Sequence, residues 1–323
     1  MSNPTNPIPQ KIKVAILGSG NIGTDLLLKV MRSDYLEPSL FIGRNLGSAG
    51  MLKAHSLGIK ISDQSIDAIV RNPDCCEIVF DATSATDAKR HWAILQKLGK
   101  TVIDLTPAKV GEMCIPAVNL DSCLEEQNLN MVTCGGQASI PLAYLIGKTQ
   151  KNVSYIETIS SIASRSAGPA TRINIDEYIE TTENAMREFS GCERVKSILV
   201  LNPAQPCIDM QTTVFASVAQ PDMETLSQEV KQMVGKIQNY VPGYELVTGP
   251  LVENGRIVIT VRVQGAGDYL PRYAGNLDII NCAAIAAAEE YAKETLGLNA
   301  RHNDLENPLS DPSLAELYVP SAH

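Results

Sequence analysis

The chain has 323 residues, 27 Lys plus Arg against 36 Asp plus Glu for a net charge of -9, and is 44% hydrophobic and 20% charged. That composition excludes disorder, collagen and a disulfide-stapled mini-fold, and the length allows one large or two ordinary domains. An acidic balance without a basic stripe argues against nucleic acid or an anionic membrane surface as the main partner, and favours small-molecule chemistry.

The most apolar stretch, Ile279 to Ala288, is interrupted by Asn281 and is too short to span a membrane. The opening MSNPTNPIPQK has no apolar core for secretion, so a cytoplasmic location is expected. Eight cysteines without a Cys-x-x-Cys pair and four scattered histidines predict free thiols and no metal site.

The spacing predicts a strand at Lys13–Leu17, a helix over Asn21–Ser33, a strand at Ser39–Gly43 and a helix over Ala49–Leu57. A strand at Cys76–Asp81, a helix over Asp87–Leu98 and strands at Thr101–Asp104 and Asn130–Thr133 follow. Alternation of this kind predicts an α/β fold with a Rossmann-type doubly wound parallel sheet.

From about residue 151 the texture changes to long β-rich runs, VSYIETISSIAS, ERVKSILVLN, IDMQTTVFASV and GRIVITVRV, with helices at Ile175–Phe189 and Met223–Gln238. These predict an α+β domain with a largely antiparallel sheet. The expected division is a dinucleotide-binding domain over 11–133 and a catalytic and dimerisation domain over 134–275. A helix over 276–297 returns to the first domain, and an exposed tail covers 298–323.

Gly18-Ser19-Gly20-Asn21-Ile22-Gly23 follows a predicted strand and opens a predicted helix, the context in which this motif binds a dinucleotide. Gly18 permits the turn, Gly20 admits a pyrophosphate and Gly23 lets helix and strand approach. No carboxylate follows the second strand; Arg44 stands there instead. NAD with loose discrimination is therefore expected, Arg44 leaving room for NADP.

Cys134 lies where an apolar strand gives way to Gly135, Gly136 and a predicted helix, so a helix dipole would favour its thiolate. A structured loop from Ser164 to Asn174 offers Arg172 as a bidentate partner for carboxylate or phosphate. A second loop, Gly265 to Asn276, could close over a ligand.

Together these segments, GSGNIGTDL, FDATSA, VIDLTPA, IPAVN, NMVTCGGQASIP, SAGPATRINIDEYIETT, LNPAQP and YAGNLDI, resemble the acylating acetaldehyde dehydrogenases over about residues 12 to 295. The resemblance implies a glyceraldehyde-3-phosphate-dehydrogenase-like architecture and oxidation of acetaldehyde or propanal, with NAD as cofactor and coenzyme A as co-substrate. It also implies a homodimer or larger assembly and a 4-hydroxy-2-oxovalerate aldolase partner. It makes Cys134 the thioester nucleophile and sets Ser19 to Ile22 on the pyrophosphate. Ser166, Ala167, Gly168, Pro169, Ala170, Thr171, Arg172, Ile173, Asn174 and Asn276 fall to the cofactor and active-site environment, and Asn276 or backbone amides near Cys134 to the oxyanion.

The chain departs from that pattern where Gln205, Cys207 and Thr212 replace the family's Glu, Pro and an Asp assigned to general-base chemistry. Asp209 precedes Thr212 by three residues and on a strand would face the other side. No histidine lies near either key motif, and His91 reads as a surface or packing residue. Rival readings are a phosphorylating or semialdehyde dehydrogenase of related fold and a non-catalytic NAD-binding redox sensor.

Overall fold

A computed structural model describes residues 10–298, so the expected exposed tail, 298–323, lies outside the described residues in all but its first position. The first half runs β1 (Ile12–Leu17), α1 (Asn21–Arg32), β2 (Leu36–Ile42), α2 (Ala49–Ser56), β3 (Ile61–Ser62) and α3 (Asp67–Val70). It continues through β4 (Ile78–Asp81), α4 (Ala85–Leu95), β5 (Thr101–Asp104), β6 (Glu112–Met113), α5 (Pro116–Cys123) and β7 (Asn128–Asn130). The seven strands pair in the order β3-β2-β1-β4-β5-β7-β6, every pair parallel. The winding direction reverses between β1 and β4, which opens a crevice at the carboxyl ends of those strands.

Two differences from the expected elements have local causes. Ser84 caps α4 by accepting from the Asp87 N–H, so the helix begins at Ala85, ahead of Asp87. The strand expected at Asn130–Thr133 is β7, which ends at Asn130 because Val132 adopts φ +58 and turns the chain.

The second half runs α6 (Cys134–Thr149), β8 (Val153–Ala163), α7 (Pro169–Ile173), α8 (Ile175–Ser190), β9 (Val195–Asn202) and β10 (Met210–Val218). Then come α9 (Met223–Gln238), β11 (Tyr244–Glu253), β12 (Arg256–Val263) and α10 (Gly275–Thr295). The five strands pair in the order β11-β12-β10-β8-β9. All of these pairs are antiparallel except β8 with β9, which α8 joins as a crossover. Met210, Thr212, Val214, Ala216 and Val218 alternate inward along β10. Helices α6, α8 and α9 pack with this sheet, and their apolar side chains, among them Leu142, Met186 and Val230, share one core with it.

The Ala-rich α10 carries Ile280, Ala283, Ala284, Ala287 and Ala288 into the core beneath the parallel sheet. Small side chains let it lie close to α1. Three polar contacts between the helices, backed by one ion pair within α1, fix the pair. Asn281 donates to Ile22 O and, at 2.8 Å, to Asp25, while Lys29 meets Asp278 at 2.7 Å and Asp25 at 3.2 Å. Burial pulls the Lys29 pKa down, but the Cys282 sulfur, Asp278 and Asp25 raise it above lysine's ordinary value. No helix among the described residues is long and apolar enough to cross a membrane.

Candidate active site

The glycine turn has the shape its sequence implied. Gly18 sits at φ +112 with its N–H bonded to Ile42 O, tying the turn to β2. A Cβ at Gly23 would overlap the Gly18 carbonyl, so only glycine lets α1 start this close to β1. At Gly20 the space around an added Cβ is open. Gly20 caps α1 without a side-chain bond, and the first turn carries no acid, leaving backbone N–H groups and the positive end of the dipole for an anion. Those features fit a dinucleotide pyrophosphate. After β2, Arg44 is exposed in the loop leading to α2.

Cys134 is positioned by polar side chains that brace the chain on both sides of it. Asn130 accepts from the Val132 N–H at 2.9 Å while its amide donates to Asp104 and to Thr106 O, so it holds Val132 in its unusual conformation. Gln137 ties α6 to the incoming strap by donating to Met131 O and Cys114 O, both at 2.9 Å. Thr133 caps α6 by accepting from the Gly136 N–H at 2.8 Å, and its hydroxyl meets Thr182 on α8. The result presents Cys134 as the first residue of a long helix.

The crevice at that point is a cavity of about 100 Å³ that gathers Ile22, Thr83, Thr106, Cys134, Thr171 and Asn276. Two of its lining residues are held by buried carboxylates at the strand ends: Asp81 accepts from the Thr83 N–H and Asp104 from the Thr106 N–H. His91 is a packing residue and not a surface one, since it is buried with Nδ1 2.7 Å from Asp81. Asn276, in the first turn of α10, is buried with an unpartnered Oδ1. That orphaned acceptor fits the carboxamide N–H of a nicotinamide.

The Cys134 sulfur meets Tyr178 of α8, whose Oη is 3.9 Å away. Burial pushes the Cys134 thiol up to about 11, against the opposing pull of the Tyr178 hydroxyl and the amides of Gly135 and Cys134. This corrects the expectation of a thiolate favoured by the dipole alone: Cys134 packs against both main cores, and that apolar contact outweighs the helix end. Tyr178 lies within the segment SAGPATRINIDEYIETT, but nothing in that segment couples it to Cys134, from which 44 residues separate it; only the packing of α8 on α6 brings it in.

Within the loop of small residues, Thr171 and Asn174 line the cavity. Ser166 is buried with its hydroxyl donating to Ala163 O, Ala167 packs into the core of the five-stranded sheet, and Ile173 is 80% exposed. Arg172 corrects the expectation of a bidentate ligand site. Its Nε donates to Ala167 O and its Nη2 to Ser164 O and Oγ, so it braces the loop. Asp209 lies outside β10 beside Gln264, whereas Thr212 is fully buried and bonded to Ser160.

The family model described as prokaryotic acetaldehyde dehydrogenase, dimerisation, matches residues 134–271. An acetaldehyde dehydrogenase of Spirochaeta aurantia is 63% identical over 282 residues, 87% of this chain and 95% of that protein. That of Pectobacterium atrosepticum is 57% identical with the same coverage. Among solved structures, aspartate semialdehyde dehydrogenase with NADP from Candida albicans matches with TM-score 0.63 at 12% identity, covering 89% of this chain and 99% of that one. Aspartate semialdehyde dehydrogenase II from Vibrio cholerae matches with TM-score 0.59 at 13% identity, covering 88% and 99%. The two structures share the fold, and the identity to the former two assigns the family: this chain belongs to the acetaldehyde dehydrogenases.

Proposed function

We propose that the enzyme oxidises acetaldehyde or propanal with NAD and transfers the acyl group to coenzyme A through a thioester on Cys134. The observation that carries this reading is Cys134 at the first position of α6, lining the crevice between the glycine loop and Asn276. The Cys134 thiolate adds to the aldehyde carbon, and the resulting oxyanion takes hydrogen bonds from the Gly135 amide and the Asn276 side chain. Bound nicotinamide supplies the hydride acceptor. Loss of the hydride leaves a thioester on Cys134. The coenzyme A thiol then attacks that carbonyl, the Cys134 sulfur departs, and acyl-CoA is released.

Arg44, with no carboxylate after β2, supports NAD use with loose exclusion of NADP. The outward face of the five-stranded sheet, with half-exposed Val200 and Leu251 at its two edges, suits a second copy of the chain, in line with the family model's dimerisation label. Location in the cytoplasm and an aldolase partner complete the reading. The test is NADH formation from acetaldehyde with coenzyme A or phosphate as acceptor, in the wild type and in Cys134→Ala. Coenzyme A-dependent turnover lost in the variant supports the reading, whereas phosphate-dependent turnover or an active variant refutes it. Co-purification tests the aldolase.

A further inference from the structure

Behind Cys134 stand three hydroxyls on three different elements. Tyr178 Oη of α8 is 3.9 Å from Sγ. Ser160 of β8 faces the same phenol. Both crowd the first turn of α6: a Cβ at Gly135 would overlap Tyr178 Oη and stand 2.9 Å from Ser160 Oγ. Ser160 in turn lies directly opposite Thr212 of β10 in the antiparallel pair, with their oxygens 3.0 Å apart. All three side chains are buried.

Each hydroxyl has one proton, so the line must run in one direction. If the thiol donated to Tyr178 and the protons pointed inward, the last one, on fully buried Thr212, would have no acceptor among the described residues. Pointed the other way, Thr212 donates to Ser160, Ser160 to Tyr178 and Tyr178 to sulfur, and every proton is accepted. Such a chain strengthens its final bond, because each donor is polarised by the one behind it.

We propose that Tyr178, Ser160 and Thr212 form an outward-pointing donor chain that supports Cys134 as a thiolate without any cation or carboxylate. Tyr178 touches the reacting sulfur, while Ser160 and Thr212 are positioning residues that act through it. The groups facing the sulfur are the Tyr178 phenol from α8 and the amides of Cys134 and Gly135 from α6, with no charged side chain among the described residues that acts on it. Thr83, Thr106 and Asn276, which share its cavity, are neutral. The inference rests on Cys134 as the nucleophile of the proposed reaction.

The test is the rate of iodoacetamide alkylation at residue 134 from pH 7 to 11, followed by peptide mass in the full chain without substrate. Tyr178→Phe should displace the profile upward by about one pH unit, slowing alkylation at pH 8 about tenfold. Ser160→Ala and Thr212→Val should move it the same way by less, and Thr212→Ser should restore the wild-type profile. NADH fluorescence titration checks that each variant is folded. An unmoved Tyr178→Phe profile, or identical profiles for Thr212→Val and the wild type, overturns the chain. Because alkylation needs no turnover, a failed coenzyme A assay with intact shifts would remove the proposed reaction and leave the chain standing.

Discussion

Asp81 and Asp104 lie opposite each other, in register, at the carboxyl ends of the paired strands β4 and β5. Both are buried, and burial together with the Asp81 charge pushes Asp104 up to about 7. In the unfolded chain the same carboxyl ionises near its ordinary 3.8. Between those values the folded chain holds a proton that the unfolded chain has lost. Stability should therefore fall as pH rises from about 4 to 7, by about 2–4 kcal/mol. Urea midpoints at pH 5 and 8 measure this, and the difference should largely vanish in Asp104→Asn. A variant that keeps the full difference would place its origin elsewhere.

Lys29 is the only cation among the three buried charges it forms with Asp25 and Asp278. In Lys29→Met the two carboxylates would lose their partner inside the α1 and α10 contact. The expected loss is about 3–5 kcal/mol of stability, read from the denaturant midpoint at neutral pH. A loss below about 1 kcal/mol would show that the cluster is solvated in the folded state.

Gly23→Ala should damage dinucleotide binding more than folding. The new Cβ meets the Gly18 carbonyl, so the turn must shift and the amides at the start of α1 lose their aim. A rise of about tenfold or more in the NADH dissociation constant, measured by fluorescence, is expected. Gly20→Ala faces open space within the protein, so any loss of affinity there reports a clash with the ligand itself.

Arg44→Ala separates the two cofactors. The side chain is exposed at the end of β2, where a ribose 2′-substituent lies in this fold. NADP turnover should fall about tenfold in kcat/KM, with NAD changed by less than about twofold. Equal effects on both would assign Arg44 to the adenine or to the loop.

The parts of this molecule written in contiguous sequence were the parts that could be read from it. The glycine turn, the start of α6 at Cys134 and the two long helices α9 and α10 all depend on local spacing and local turn chemistry. Strand β11 went unread because Gly249 and Pro250 interrupt it and its pairing with β12 is irregular at that point. The parallel β8 and β9 pair hid in a β-rich stretch because its crossover, α8, looked like a spacer between antiparallel strands. The nearness of Tyr178 and Ser160 to the sulfur went unread for a related reason: both lie in quoted segments, but each is an ordinary residue on an ordinary amphipathic element, and only tertiary packing sets them beside Cys134. Arg172 misled because a free guanidinium and one folded back on its own loop have the same sequence.

The fastening of α10 to α1 has a mechanical corollary. Their leading ends carry Asn276 and the glycine turn, and Asn281 and Lys29 couple the helices a turn or two behind. Those two walls of the crevice consequently travel as one fixed jaw. The 164–174 segment, which adds Thr171 and Asn174 to the same cavity, takes no part in that fastening.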